Sequence, residues 1–166
     1  MSKVRSLTLD DLDNITFNLL GSLGNLAMNN IYEHRLHSSW AKPTSTSSRE
    51  DKEKWIRAKY QCRSFINTSF HRPSEELYSA TQRGDLLSMA HCIALGADVN
   101  SVLDGEHRTT ALHCASARGH VQAVEFLLLW NADVNVLDAQ HCTAIDLAMI
   151  SNHLNVLDLF YRRLER

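Results

Sequence analysis

The feature that most constrains this chain is a repeat in its second half. Gly96-Ala97-Asp98-Val99-Asn100 recurs as Asn131-Ala132-Asp133-Val134-Asn135, and Thr110-Ala111-Leu112-His113-Cys114-Ala115 as Thr143-Ala144-Ile145-Asp146-Leu147-Ala148, at offsets of 35 and 33 residues. Arg118-Gly119-His120 matches Ser151-Asn152-His153 on one side and Arg83-Gly84-Asp85 on the other. Units with a period near 33 cannot each close a core, so they must stack on their neighbours to bury an apolar face. About two and a half to three units are present, near the lower limit for a stable stack, so support from the preceding segment is expected.

Each conserved slot within the repeat has a physical reason. Thr110 and Thr143 stand where a hydroxyl caps a helix just before an apolar run. Ala80, Ala115 and Ala148 let antiparallel helices approach closely. Gly84 and Gly119 fall at helix ends that need positive φ, with Asn152 as substitute. The second helices carry Met89/Ile93, Val124/Leu127/Leu128 and Leu154/Leu157/Phe160 as one buried stripe each.

Residues 75–166 thus resemble ankyrin repeats, most completely from Thr110-Ala111-Leu112-His113 through Ala132-Asp133-Val134-Asn135. Ala111 and Ala144 replace the usual proline after the threonine, and Asn131 replaces a glycine. The first copy lacks its opening hairpin and the last its closing turn. Such stacks commonly bind protein partners through their hairpin tips, here enlarged by two residues over Asp104 to Arg108. The candidate contacts are His107, Arg108, Arg118 and Gln140-His141. Leu129 and Trp130, at a helix end usually polar, form either a contact patch or packing beneath the next unit.

The first half reads as helical, making the whole chain all-α. Thr8 with Asp11 opens a helix whose Leu12, Ile15, Leu19 and Leu23 share a face, closed at Gly24-Asn25; a second runs from about Leu26 to His37, with Ile31 and Leu36 apolar. Residues 38–47 are a loop. Ser48-Arg49-Glu50-Asp51 caps a third helix, on which Trp55, Ala58, Cys62 and Phe65 share a face and Glu50 supports Lys54. Lys52, Lys54, Arg57, Lys59 and Arg63 read as the wet face of that helix or as a contact for membrane headgroups.

Ser2-Lys3-Val4-Arg5-Ser6-Leu7-Thr8-Leu9-Asp10 and Ser48-Arg49-Glu50-Asp51-Lys52-Glu53-Lys54-Trp55-Ile56-Arg57-Ala58-Lys59-Tyr60, with Gly24-Asn25 and Ile31-Tyr32-Glu33, resemble the C-terminal part of the catalytic domain of GTPase-activating proteins for Arf small GTPases. The likeness is greatest to subfamilies that carry ankyrin repeats directly after that domain. It implies a partial Arf-GAP domain over residues 1–66, a linker over 67–74 and repeats over 75–166. It also implies an Arf-family GTPase as partner. Arg5 and Asp10, within the resembling segment, read either as part of the surface facing it or as local devices, Asp10 favouring a helix N-terminus by its charge and Arg5 solvated or paired nearby.

In that family a zinc module of two C-x-x-C pairs and the arginine that stabilises the transferred phosphoryl group lie upstream of the segment at which this chain begins. A trans-acting arginine is worth about 10³ to 10⁵ in rate, and a structural zinc contributes folding free energy. The expectation is a chain of a GTPase-regulating family that neither holds the zinc nor stimulates hydrolysis by itself. The alternative is an ankyrin adaptor without a GTPase role, its helical first half only capping the stack.

Composition agrees with an ordinary folded chain: 166 residues, 44% hydrophobic and 22% charged, with a formal charge of −2 that supplies no field for nucleic acid. The longest apolar run, Phe126 to Trp130, is far short of the ~20 residues that span a bilayer, and the start lacks the apolar core of a signal peptide. The expectation is a cytoplasmic protein with peripheral contact at endomembranes. Cys62, Cys92, Cys114 and Cys142 include no C-x-x-C pair. His91-Cys92, His113-Cys114 and His141-Cys142 nominally pair zinc ligands, but helix neighbours diverge by about 100°, so buried free thiols are expected and no metal. No Gly-rich phosphate loop, G-x-S-x-G or H-E-x-x-H motif supports an enzyme.

Overall fold

The computed structural model describes residues 14–68, 71–103 and 107–164. Among them lie nine α-helices, one π-turn and no strand. The first region holds α1 (Asn14–Ser22), α2 (Asn25–Tyr32) and α3 (Arg49–Ile56), the last running into the π-turn Arg57–Gln61. Three helix pairs follow: α4 (Pro73–Arg83) with α5 (Leu86–Ala94), α6 (Ala111–Arg118) with α7 (Val121–Leu129), and α8 (Ala144–Ile150) with α9 (Leu154–Leu164).

The repeat devices form as their residue types dictate. Thr110 Oγ1 and Thr143 Oγ1 accept the amides of His113 and Asp146, closing a capping box at the start of α6 and α8. Gly84, Gly119 and Asn152 turn at φ 68°, 69° and 56°. Only a residue that tolerates the left-handed region ends a helix this tightly, which sends each second helix back antiparallel to the first. Ala80, Ala115 and Ala148 are completely buried. His120 and His153, just past two of these turns, reach back to the preceding unit: Nδ1 of His120 lies 3.0 Å from the Thr81 carbonyl and Nε2 of His153 3.1 Å from that of Ala117. In the last unit the stripe differs from the sequence reading. Val156, Leu159 and Phe160 are buried, while Leu154 is 67% exposed, on a side of α9 that no other described helix covers.

The first region packs directly on this stack. Leu19 of α1 belongs to the same apolar cluster as Leu77, Met89, Leu112, Leu127 and Phe160, with Ile15, Leu23, Met28 and Ile31 against it. Helix α1 lies on α7 and α2 on α5. One continuous core therefore spans both halves, the support that so short a stack requires.

Three helix ends differ from the sequence reading. Helix α2 stops at Tyr32, five residues before His37, and Leu36 is exposed. Tertiary contacts end it: Lys59 and Lys42 hold the Glu33 carboxylate at 2.7 and 2.8 Å, and the Arg35 amide donates to the Phe65 carbonyl at 2.8 Å. Helix α3 begins as expected, with the Asp51 amide on Ser48 Oγ at 3.1 Å and Lys54 paired to Glu50 at 2.8 Å. Its end is wound as a π-turn, the Cys62 amide bonding the Arg57 carbonyl five residues back. That extra residue turns Cys62 out to solvent. Phe65 then folds back off the helix and stacks on Trp55 at 5.2 Å, with Trp40 edge-on to both. Finally, α4 starts at Pro73, inside the expected linker, because proline fits the first helical position where no amide partner is needed.

Candidate functional site

The surface available to a partner is built on a buried histidine. His113 sits in the first turn of α6, 1% exposed. The Thr110 amide donates to its Nδ1 at 3.2 Å, so the proton sits on Nε2, which donates to the Cys142 carbonyl at 3.2 Å. The ring thereby ties the second unit to the loop opening the third. Asp138, itself buried, accepts the amides of Gln140 and Cys142 on one oxygen, each at 2.9 Å. The Ala139 amide donates to the His107 carbonyl at 2.9 Å, joining the two loops edge to edge. Arg108 and His141 adopt φ of 48° and 59° at these tips. Exposed side chains of His107, Arg108 and His141 are thus presented side by side from a braced backbone.

Arg118 and Trp130, also exposed, stand elsewhere. Helices α6 and α7 run antiparallel, so the end of α6 carries Arg118 away from the tips while the end of α7 returns Trp130 toward them. Trp130 leans on Phe126 with ring centroids 6.3 Å apart and is 43% exposed, whereas Leu129 packs against the core. The paired reading of these two residues therefore splits, one into surface and one into packing. Beside the tips, a cleft of about 700 Å³ runs between the start of α4 and residues 101–103, lined by Arg72, Ser74, Glu75, Ser79, Val102 and Leu103. Arg5 and Asp10 lie outside the described residues.

The basic run does not form one wet face. Lys59 is buried, with Nζ donating to Asn29 Oδ1 at 2.6 Å and Glu33 Oε1 at 2.7 Å. Burial opposes both charges of this pair. Hydrogen bonding prevails: Lys42 and Lys59 hold Glu33 below its ordinary pKa value, and Glu33 holds Lys59 above its own. Lys52 bonds the Ser45 carbonyl at 2.8 Å, and Arg63 lies against Gly96 of the first repeat. Only Lys54, Arg57 and Arg63 remain exposed.

The cysteines divide in two. Cys92 and Cys114 are buried, and burial pushes the Cys92 thiol up to about 11 and raises that of Cys114 too. Cys62 is exposed and Cys142 half-buried, contrary to the expectation of four buried thiols. Among the described residues the three His-Cys pairs do not converge on one centre. The rings of His91 and His113 are committed to the carbonyls of Asn67 and Cys142, and no three His, Cys, Asp or Glu converge among the described residues.

Sequence reading missed Glu125, which is completely buried in α7. Thr16 of α1 donates to its Oε1 at 2.7 Å, and Arg163 of α9 forms an ion pair with it, its Nε lying 3.2 Å from Oε2. One carboxylate thus joins the first region to the second and third repeats. The available signal was an isolated acid within the apolar run Val124-Glu125-Phe126-Leu127.

Comparison with known proteins bears on both regions. The family model for putative GTPase-activating proteins for Arf matches residues 1–69, and that for ankyrin repeats, three copies, matches residues 77–164. The human Arf-GAP with coiled-coil, ANK repeat and PH domain-containing protein 3 is 45% identical over 76 residues, covering 45% of this chain and 9% of the relative. The rat Arf-GAP with coiled-coil, ANK repeat and PH domain-containing protein 2 is 26% identical over 237 aligned positions, covering 96% of this chain and 31% of the relative. The ARF GTPase-activating protein Git of Drosophila melanogaster is 26% identical over 186 positions, covering 95% and 25%. The chain therefore spans between 9% and 31% of the length of these relatives.

Proposed function

Since this chain belongs to the Arf-GAP family that carries ankyrin repeats, we propose that its 166 residues bind an Arf-family GTPase without accelerating hydrolysis, while the repeat tips engage a protein partner. The observation that carries this reading is the match of residues 1–69 to the Arf-GAP model, followed at once by repeats in the order its relatives share. The adaptor reading without a GTPase gains no such support.

Lack of stimulation follows from what phosphoryl transfer requires. There is little covalent chemistry for a protein to perform, so rate comes from positioning and from charge placed on the transferring group. By the resemblance, the arginine that supplies this charge precedes the Ser2-Lys3-Val4-Arg5 segment. These 166 residues contain no C-x-x-C pair. The remaining helices offer a contact surface, and their shared core with the repeats makes that surface and the tips parts of one body. The same proposal places the chain in the cytoplasm, at endomembranes through its GTPase, with no cofactor of its own.

Immobilised chain incubated with Arf loaded with a non-hydrolysable GTP analogue or with GDP tests the binding half. Selective retention of the GTP-analogue form is expected. Equal retention of both forms, or of neither, overturns the reading.

A further inference from the structure

The far end of the stack differs from the inner repeat interface at corresponding positions. With the offset of 33, Met149, Ile150 and Leu154 of the third repeat correspond to Ser116, Ala117 and Val121 of the second. In the second repeat Ser116 is completely buried, and Ala117 and Val121 are half-buried. In the third, Met149, Ile150, Leu154 and the neighbouring Tyr161 are 51%, 72%, 67% and 56% exposed. A contiguous exposed apolar face on a repeat marks a contact site.

Charge follows the same correspondence. Asp158 matches Glu125, the buried acid that receives Arg163 from the next unit. At the end of the stack Asp158 is exposed and pairs instead with Arg162, one turn along its own helix. An acid and a base one turn apart on an apolar face are complementary to the same face turned about a two-fold axis.

We propose that this face, Met149, Ile150, Leu154 and Tyr161 with Asp158 and Arg162, pairs with the same face of a second copy of this chain. Asp158 of each copy meets Arg162 of the other. The bulk of the side chains favours a second copy over a fourth repeat. At the inner interface the corresponding positions hold the small Ser116 and Ala117, which permit close helix approach, whereas Met149 and Ile150 protrude and suit interdigitation with their own symmetry mates. This inference is independent of the GTPase reading.

Sedimentation velocity over a concentration series tests it. The chain is expected to move from 18.8 kDa towards twice that mass by about 100 µM, a concentration that populates contacts of micromolar affinity. Ile150→Lys with Leu154→Lys, both at exposed positions, should leave a monomer with unchanged circular dichroism. Asp158→Arg and Arg162→Asp should each weaken self-association, yet an equimolar mixture of the two should form a heterodimer, because every cross pair is then of opposite sign. A wild type that stays monomeric overturns the proposal. So does a dimer that survives the lysine pair, or a charge-variant mixture that fails to associate.

Discussion

The two halves of this molecule reach stability by different routes. From α4 onward, local devices recur at fixed intervals: an alanine at the helix crossing and a left-handed residue at the turn in all three units, and in two of them a threonine cap and a histidine reaching back to the unit before. Each contributes on the order of 1 kcal/mol, and regularity makes them add. Before α4 nothing repeats. Order there depends on the core that α1 and α2 share with the repeats, on one aromatic cluster, Trp40, Trp55 and Phe65, and on one buried ion pair, Lys59 with Glu33. A stack tolerates damage at one slot, whereas a region with single keystones does not.

That contrast sets the expected sizes of five perturbations. Removing the ring in Phe65→Ala opens a cavity beneath Trp40 and Trp55 and should cost about 3 to 5 kcal/mol in chemical denaturation. Because Leu19 shares the repeats' cluster, unfolding followed by tryptophan fluorescence and by circular dichroism should still coincide; separate transitions would show two independent bodies. Next, Lys59→Met strands Glu33 with Lys42 alone and should cost about 3 kcal/mol, most of it regained in the double variant with Glu33→Leu.

Within the repeats the effects should be smaller. At Gly119, φ of 69° disfavours any side chain, and a Cβ would come within 2.6 Å of His153 Nδ1, so Gly119→Ala should cost about 2 kcal/mol. At Gly84 the φ is similar but the nearest atom, on the His120 ring, is 3.4 Å away, so Gly84→Ala should cost about 1 kcal/mol. Thermal melts rank the two, and equal costs would remove the role given to His153. The smallest effect concerns acid. Hydrogen bonds from Ser88 to Asp85 and from Thr143 to Asp146 hold these carboxyls below their ordinary pKa values. A lowered folded pKa adds stability that is complete above the unfolded value and is lost as pH falls through the folded one. The contribution of these carboxyls to the melting temperature should therefore hold from pH 7 to about pH 5 and be lost below about pH 4, so that the acid limb falls less steeply in Asp146→Asn.

The same contrast explains what the sequence could disclose. Thr110, Gly119, Ala115 and Asn152 were legible because a repeat displays each constraint more than once, and each follows from local backbone chemistry. Ser48 and the Glu50–Lys54 pair were legible for the same local reason. The early end of α2 and the burial of Lys59 were not, since each depends on a partner distant in sequence, and the π-turn that expels Cys62 is local but carries no residue type that marks it. Glu125 belongs with them: its acid is visible in an apolar run, but Thr16 and Arg163 lie 109 and 38 residues away. Exposure of His107, Arg108 and His141 followed from their place in the repeat, while the separation of Arg118 from Trp130 required the helix pair to be folded.

Single-turnover hydrolysis by GTP-loaded Arf, with this chain in excess at a concentration where binding is established, tests the central claim most directly. The account predicts a rate equal to that of Arf alone, with the complex intact until the nucleotide is spent. A rate raised by the 10³-fold or more that a supplied arginine typically confers would contradict it.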